Sequence, residues 1–124
     1  MIDFKVKIDF WDYELRCIFS SEEALYKVIE EELGEECAEY VVYTNDLSNC
    51  EGSTMILPSG ESLLWMPHVP DDARATGVLI HELFHITKHA LSEIQQIPLD
   101  DSTEEVYARV MGTLTTSILE ECGI

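Results

Sequence analysis

The sequence is short of positive charge. Lysine and arginine together number 7 against 25 aspartates and glutamates, a formal net charge of −18. A field of that sign repels phosphate, which argues against nucleic acid binding by a basic surface and against an anionic membrane as partner. It favours a divalent cation or a basic partner instead. No apolar run approaches the ~18 residues that mark a spanning helix, so no membrane partner is expected. No basic segment leading into an apolar one stands near the N-terminus, and the expectation is a cytoplasmic protein with reduced thiols. The cysteines, Cys17, Cys37, Cys50 and Cys122, include no CxxC pair, which removes zinc-knuckle and thioredoxin-like readings. Repeats and low-complexity linkers are also lacking. At 124 residues and 46 % hydrophobic content, residues 1–124 are expected to form a single folded domain.

Period two organises the start of the chain. Phe4, Val6, Ile8 and Phe10 alternate with Asp3, Lys5, Lys7 and Asp9 as in a half-buried strand, and YELRCIF is a second strand or a continuation past a bend. The period lengthens over SSEEALYKVIEEEL. Ser20 or Ser21 can cap a helix there, with Glu23 completing a capping box from Ser20. Leu25, Val28, Ile29 and Leu33 form its apolar stripe, and Gly34 ends it. The aromatic and β-branched AEYVVYT is expected to be a strand. After the turn-rich NDLSNCEGS, TMILPSGESLLWMPH reads as two short strands around PSGE, stopped by Pro67 and Pro70.

From an Asp71 or Asp72 cap the pattern is helical, with an apolar or small line through Gly77, Val78, Ile80, Leu83, Phe84 and Ile86. QQIPLDD breaks it, and STEEVYARVMGTLTTSILEEC forms a further long helix. The element order predicts an α+β fold in which a small, mostly antiparallel sheet packs against these helices.

The chemistry is concentrated in GVLIHELFHITKHALSEI. His81 and His85 are four residues apart, which on a helix puts both imidazoles on one face, one turn apart. Two such rings can converge on one zinc ion without distorting the backbone. Glu82 stands one residue round, where it can take a proton from bound water, and HELFH thus matches H-E-x-x-H with its mechanism attached. His89 continues the same face but lies two turns, about 12 Å, along the axis from His81, too far to share the ion. It reads as a surface or interface histidine, and His68 as an exposed loop histidine. Gly77, one turn before His81, could admit another backbone close to the site, or serve only ordinary helix packing.

Zinc normally takes three protein ligands and leaves a fourth position for water. The next helix offers Glu104 and Glu105 near its start, with Ala108 and Gly112 as small residues roughly on the Glu105 face that would let the two helices approach. Glu105 has a second candidate role, since Ser102 as N-cap and Glu105 three residues later would form a capping box. Glu105 is the leading third ligand, and the alternatives are Glu104, a site completed by water alone, or one completed by an aspartate.

With these residues the sequence resembles the zincin metallopeptidases, specifically the gluzincin group, in which H-E-x-x-H lies on one helix and a glutamate ligand on the next. The interval from His85 to Glu105 is similar to that of thermolysin-like members. EEVYARVMGTL is similar to the corresponding helix of small phage- and prophage-encoded metallopeptidases, with Arg109 where those often have tyrosine. The likeness covers about residues 60–122. It implies a minimal zincin-like domain, zinc held by His81, His85 and Glu105, and Glu82 as general base. It also implies an extended peptide or protein substrate added as a strand at residues 62–67, SLLWMP, taken as a sheet edge before the active helix.

Three functions compete. The first is a zinc-dependent peptidase. The second is a zincin-like protein that keeps the metal but serves as a non-catalytic regulatory or binding module. The third is an acidic mimic of nucleic acid that occupies a basic groove. A bound metal separates the first two from the third, and an open groove beside the metal favours the first.

Overall fold

The computed structural model describes residues 1–8 and 12–124. Strands β1 (Ile2–Ile8) and β2 (Tyr13–Phe19) run antiparallel, with Ile2 opposite Phe19 and Ile8 opposite Tyr13. Asp9 and Phe10, the end of the expected alternation, lie outside the described residues. Strands β3 (Ser53–Ile56) and β4 (Ser62–Met66) form the antiparallel hairpin expected around PSGE, and Gly60 in its turn takes φ 88°. β4 also lies parallel to β2, so the order across the mixed four-stranded sheet is β1-β2-β4-β3.

That order corrects the expected docking edge. Residues 62–67 do not offer a free edge, because β4 is hydrogen-bonded to a strand on each side. All five residues of β4 are buried, as in a strand covered on both faces, where no alternation survives to be read. The open edges belong to β1 and β3.

Helices cover both faces. Helix α1 (Glu22–Leu33) and the short α2 (Glu35–Glu39) lie on one face, and α3 (Ala73–Lys88) and α4 (Glu104–Glu121) on the other. The strand pleat divides the apolar residues between two cores. Leu63, Trp65 and Ile18 meet Leu25 and Ile29 of α1, whereas Leu64, Met66, Leu15 and Cys17 meet Leu79 and Leu83 of α3 and Leu114 of α4.

Helix α1 follows its expected stripe, with Leu25 and Ile29 buried, although Leu33 is exposed. Its cap is Ser21, which accepts from the Ala24 N–H at 3.2 Å, so the box from Ser20 does not form. Gly34 ends the helix at φ 95°.

AEYVVYT is not a strand. α2 runs into a π-helical turn, Tyr40–Thr44, in which Ala38, Val41 and Val42 are buried while Tyr40 and Tyr43 are exposed. Spacings of three and four are a helical period, and here they outweigh the β propensity of the individual residues. Asn45 closes the turn by donating to the Tyr40 and Val41 carbonyls.

Arg16 ties three elements together. Though buried, it donates to Asp3 of β1 at 3.0 and 2.7 Å and to Glu32 of α1. Arg16 holds the Glu32 carboxyl below its ordinary value, chiefly through that hydrogen bond. Both acids are partly exposed, so they regain water when the guanidinium is removed. Arg16→Gln should therefore cost about 1–3 kcal/mol of unfolding free energy near neutral pH. A carboxyl lowered in the folded state stabilises above its unfolded pKa and loses that contribution as pH falls through the folded value. In urea unfolding the gap between variant and wild type should narrow from about pH 5 downward.

Candidate metal centre

Helix α3 is capped by Asp72, which accepts from the Ala75 N–H at 2.7 Å. It continues past Lys88 into a π-helical turn, His89–Ile94. Ala75, Leu79, Leu83, Ile86 and Ala90 are the residues seated on the sheet. Ile80 and Phe84, expected in the apolar line, are 38 % and 40 % exposed. They stand one residue, roughly 100°, round from Leu79 and Leu83, which turns them out of the core. His81 and His85 are exposed as well.

The two imidazoles converge. Their Nε2 atoms are 3.3 Å apart, with the rings edge-on at 77°. Two nitrogens bound at ~2.0–2.1 Å to a tetrahedral ion are separated by about 3.3–3.4 Å, so the separation of this pair is that of two zinc ligands. The same separation suits a hydrogen bond between one protonated and one bare nitrogen. Glu82 completes the group. Its Oε2 lies 3.7 Å from His81 Nε2, and one donor atom from each of His81, Glu82 and His85 falls within 4.8 Å of the others.

Glu82 is 9 % exposed, and among the described residues no lysine or arginine forms an ion pair with it. A buried carboxylate without a cation is costly, so this position favours a bound positive ion. Among the described residues its hydrogen-bond donor is Thr54 of β3, whose Oγ1 donates to Oε1 at 3.3 Å. The chain entering β3 also passes tightly over the helix. A Cβ on Gly52 would lie 2.9 Å from Val78 Cγ1 and 3.5 Å from Glu82 Cγ. Gly77, the glycine expected to admit a close approach, has no such neighbour within 4 Å. Gly52 has that role, and within NCEGS only its turn propensity was visible.

An open groove of about 700 Å³ runs from the site along α3 and the approach to β3, lined by Asn49, Glu51, Gly52, Arg74, His81 and Glu82 among others. At its far end Arg74 pairs with Glu51.

The remaining candidates lie elsewhere. His89 is half-buried, bonded through Nδ1 to Glu93 Oε2 at 2.7 Å, with its ring against Tyr13. His68 is exposed in its loop, with Nδ1 3.0 Å from the Val69 carbonyl oxygen. Glu105 is not part of the three-residue group, and Glu104 is not either. Glu105 accepts from Arg109 Nε at 3.1 Å and is exposed. It stands roughly half a turn round α4 from the buried Tyr107, Val110, Leu114 and Ile118. Ala108 and Gly112 are likewise exposed, so the helices pack through those larger residues and not through a small-residue seam. The Ser102–Glu105 capping box is absent. Thr103 holds the N-cap position, and Asp100 accepts from the Ser102 and Thr103 N–H groups.

The H-E-x-x-H spacing and the convergent group are those of a zincin-like metal-binding motif. Comparison with family models, curated proteins and solved structures found no match for this chain.

Protein purified from zinc-containing medium should carry about one zinc per chain. His81→Ala or His85→Ala should each remove most of it, as read by elemental analysis. Equal metal content in wild type and both variants would dismiss the centre.

Proposed function

We propose that this chain is a zinc-dependent hydrolase, a small metallopeptidase acting on extended peptides, in which residues 1–124 work as one domain. The observation that carries the reading is the convergence of His81 and His85 beside a buried glutamate, at the wall of an open groove. The histidines would hold the metal. When bound, zinc supplies Lewis acidity, which makes water acidic enough to lose a proton near neutral pH.

Glu82 is the proton carrier. Its carboxylate takes the proton from the attacking water as the water oxygen bonds to the scissile carbonyl carbon. It then returns that proton to the amine as the carbon–nitrogen bond breaks. Thr54, Gly52 and the burial of the side chain keep the carboxylate beside the histidines.

The β3 edge is the surface offered to substrate. β1, the other open edge, carries Asp3, Lys5 and Lys7, charges that discourage strand addition. β3 reads Ser53, Thr54, Met55, Ile56, with no charge, and is the strand that touches Glu82. A peptide added there by backbone hydrogen bonds would run beside the histidine pair, which moves the proposed strand addition from residues 62–67 to residues 53–56.

Glu82→Gln should keep near-stoichiometric zinc and the fold while abolishing cleavage of a peptide selected from a library with the wild-type protein. A peptide cut equally fast by both, with contaminating protease excluded, would remove Glu82 from the mechanism.

The third protein ligand in this reading is Glu105, whose exposed side chain pairs with Arg109 outside the three-residue group and would have to leave that pair and turn toward α3 to reach the metal. Glu105→Gln should then weaken zinc binding by more than the roughly 10–100-fold that outer-shell changes cost. If Glu105 serves only its exposed pair with Arg109, the change should leave zinc in place and alter stability by about 0.5 kcal/mol or less. Glu104→Gln is the register control, and loss of zinc in that variant alone would move the ligand by one residue.

A further inference from the structure

We propose that Thr54 is a positioning residue that keeps Glu82 a base by holding it off the metal. The inference rests on the metal-site reading above and concerns the choice a carboxylate faces there. Glu82 lies within reach of an ion held by the histidines, with Oε2 3.7 Å from His81 Nε2. Zinc accepts glutamate oxygen readily, at ~2.0–2.2 Å. A carboxylate that has given its lone pair to the metal is a poor proton acceptor, so a base in this position needs a restraint.

β3 supplies the restraint through Thr54. Thr54 Oγ1 donates to Oε1, the oxygen away from the His81 contact, and leaves Oε2 facing the histidines. Register fixes which residue meets the glutamate. Thr54 pairs with Leu64, whose side chain faces the α3 core, whereas Met55 pairs with Leu63 and is buried in the α1 core. A slip of one residue would turn Thr54 to the other face and bring Ser53 or Met55 over Glu82.

Thr54→Val removes the hydroxyl and keeps the shape and the strand preference. Freed from its donor, Glu82 should swing onto the metal, and zinc affinity, measured by competition with a chromophoric chelator, should rise by about tenfold. Thr54→Ser should retain wild-type affinity, because it restores the donor. In a Glu82→Gln background Thr54→Val should have no effect on affinity. Cobalt(II) in place of zinc gives an independent reading, since an added carboxylate donor changes the visible absorption of the ion. Thr54→Ala, which removes the hydroxyl without a substitute methyl, serves if the valine variant melts early.

Unchanged or weakened affinity on loss of the hydroxyl overturns the proposal, and so does a gain that persists without Glu82. A wild-type chain that binds no zinc overturns the metal reading itself, and this inference with it. Normal zinc binding with no Thr54 effect removes Thr54 alone.

Discussion

Three consecutive side chains of α3 have to satisfy three different surroundings, and the site depends on that. With roughly 100° between neighbours, His81 points to solvent, Glu82 lies at the flank beneath β3, and Leu83 enters the core. Seating Leu79, Leu83 and Ile86 on the sheet therefore determines where the histidines and the glutamate go. If the helix turned on its axis by one residue's step, the glutamate would enter the core in one direction or be turned out into water in the other. The burial that stabilises the helix is also what aims the chemistry.

The strand across the helix is the second part of the arrangement. β3 reaches the glutamate because the hairpin places it outside β4, and β4 is held in turn by its parallel pairing with β2. Arg16 fastens β2 to β1 and to α1 on the far face. The Glu82 carboxylate thus sits under an edge whose position is set by contacts running across the whole sheet. Among the described residues no lysine or arginine pairs with it there. In a chain of net charge −18 such a spot is suited to a cation and hostile to an anion.

Parts of this were legible in the residue order. The HELFH spacing names the convergent pair because i, i+4 on a helix is a local relation. The Asp72 cap, the Gly34 stop and the hairpin around PSGE are local as well, and each stands where its residue types put it. AEYVVYT is helical although its β-branched residues favour a strand, because the local spacing of Ala38, Val41 and Val42 puts them on one buried face.

The rest depended on tertiary structure. SLLWM was legible as a strand, but whether it lies at an edge or between two partners is decided by the pairing of residues about 50 positions apart, which leaves no periodic trace. The same holds for Gly52 and Thr54, ordinary loop and strand residues until the fold carries them over Glu82. An interval along the chain does not fix which face of α4 turns toward α3. Tyr107, Val110, Leu114 and Ile118 decide that by taking the buried side, and Glu105 is left in solvent beside Arg109. The sequence by itself determined the donor set on one helix, because a helix repeats every 3.6 residues or so wherever it lies. Which strand roofs those donors, and which carboxylates stand near them, was decided only when the sheet and helices closed on a common core.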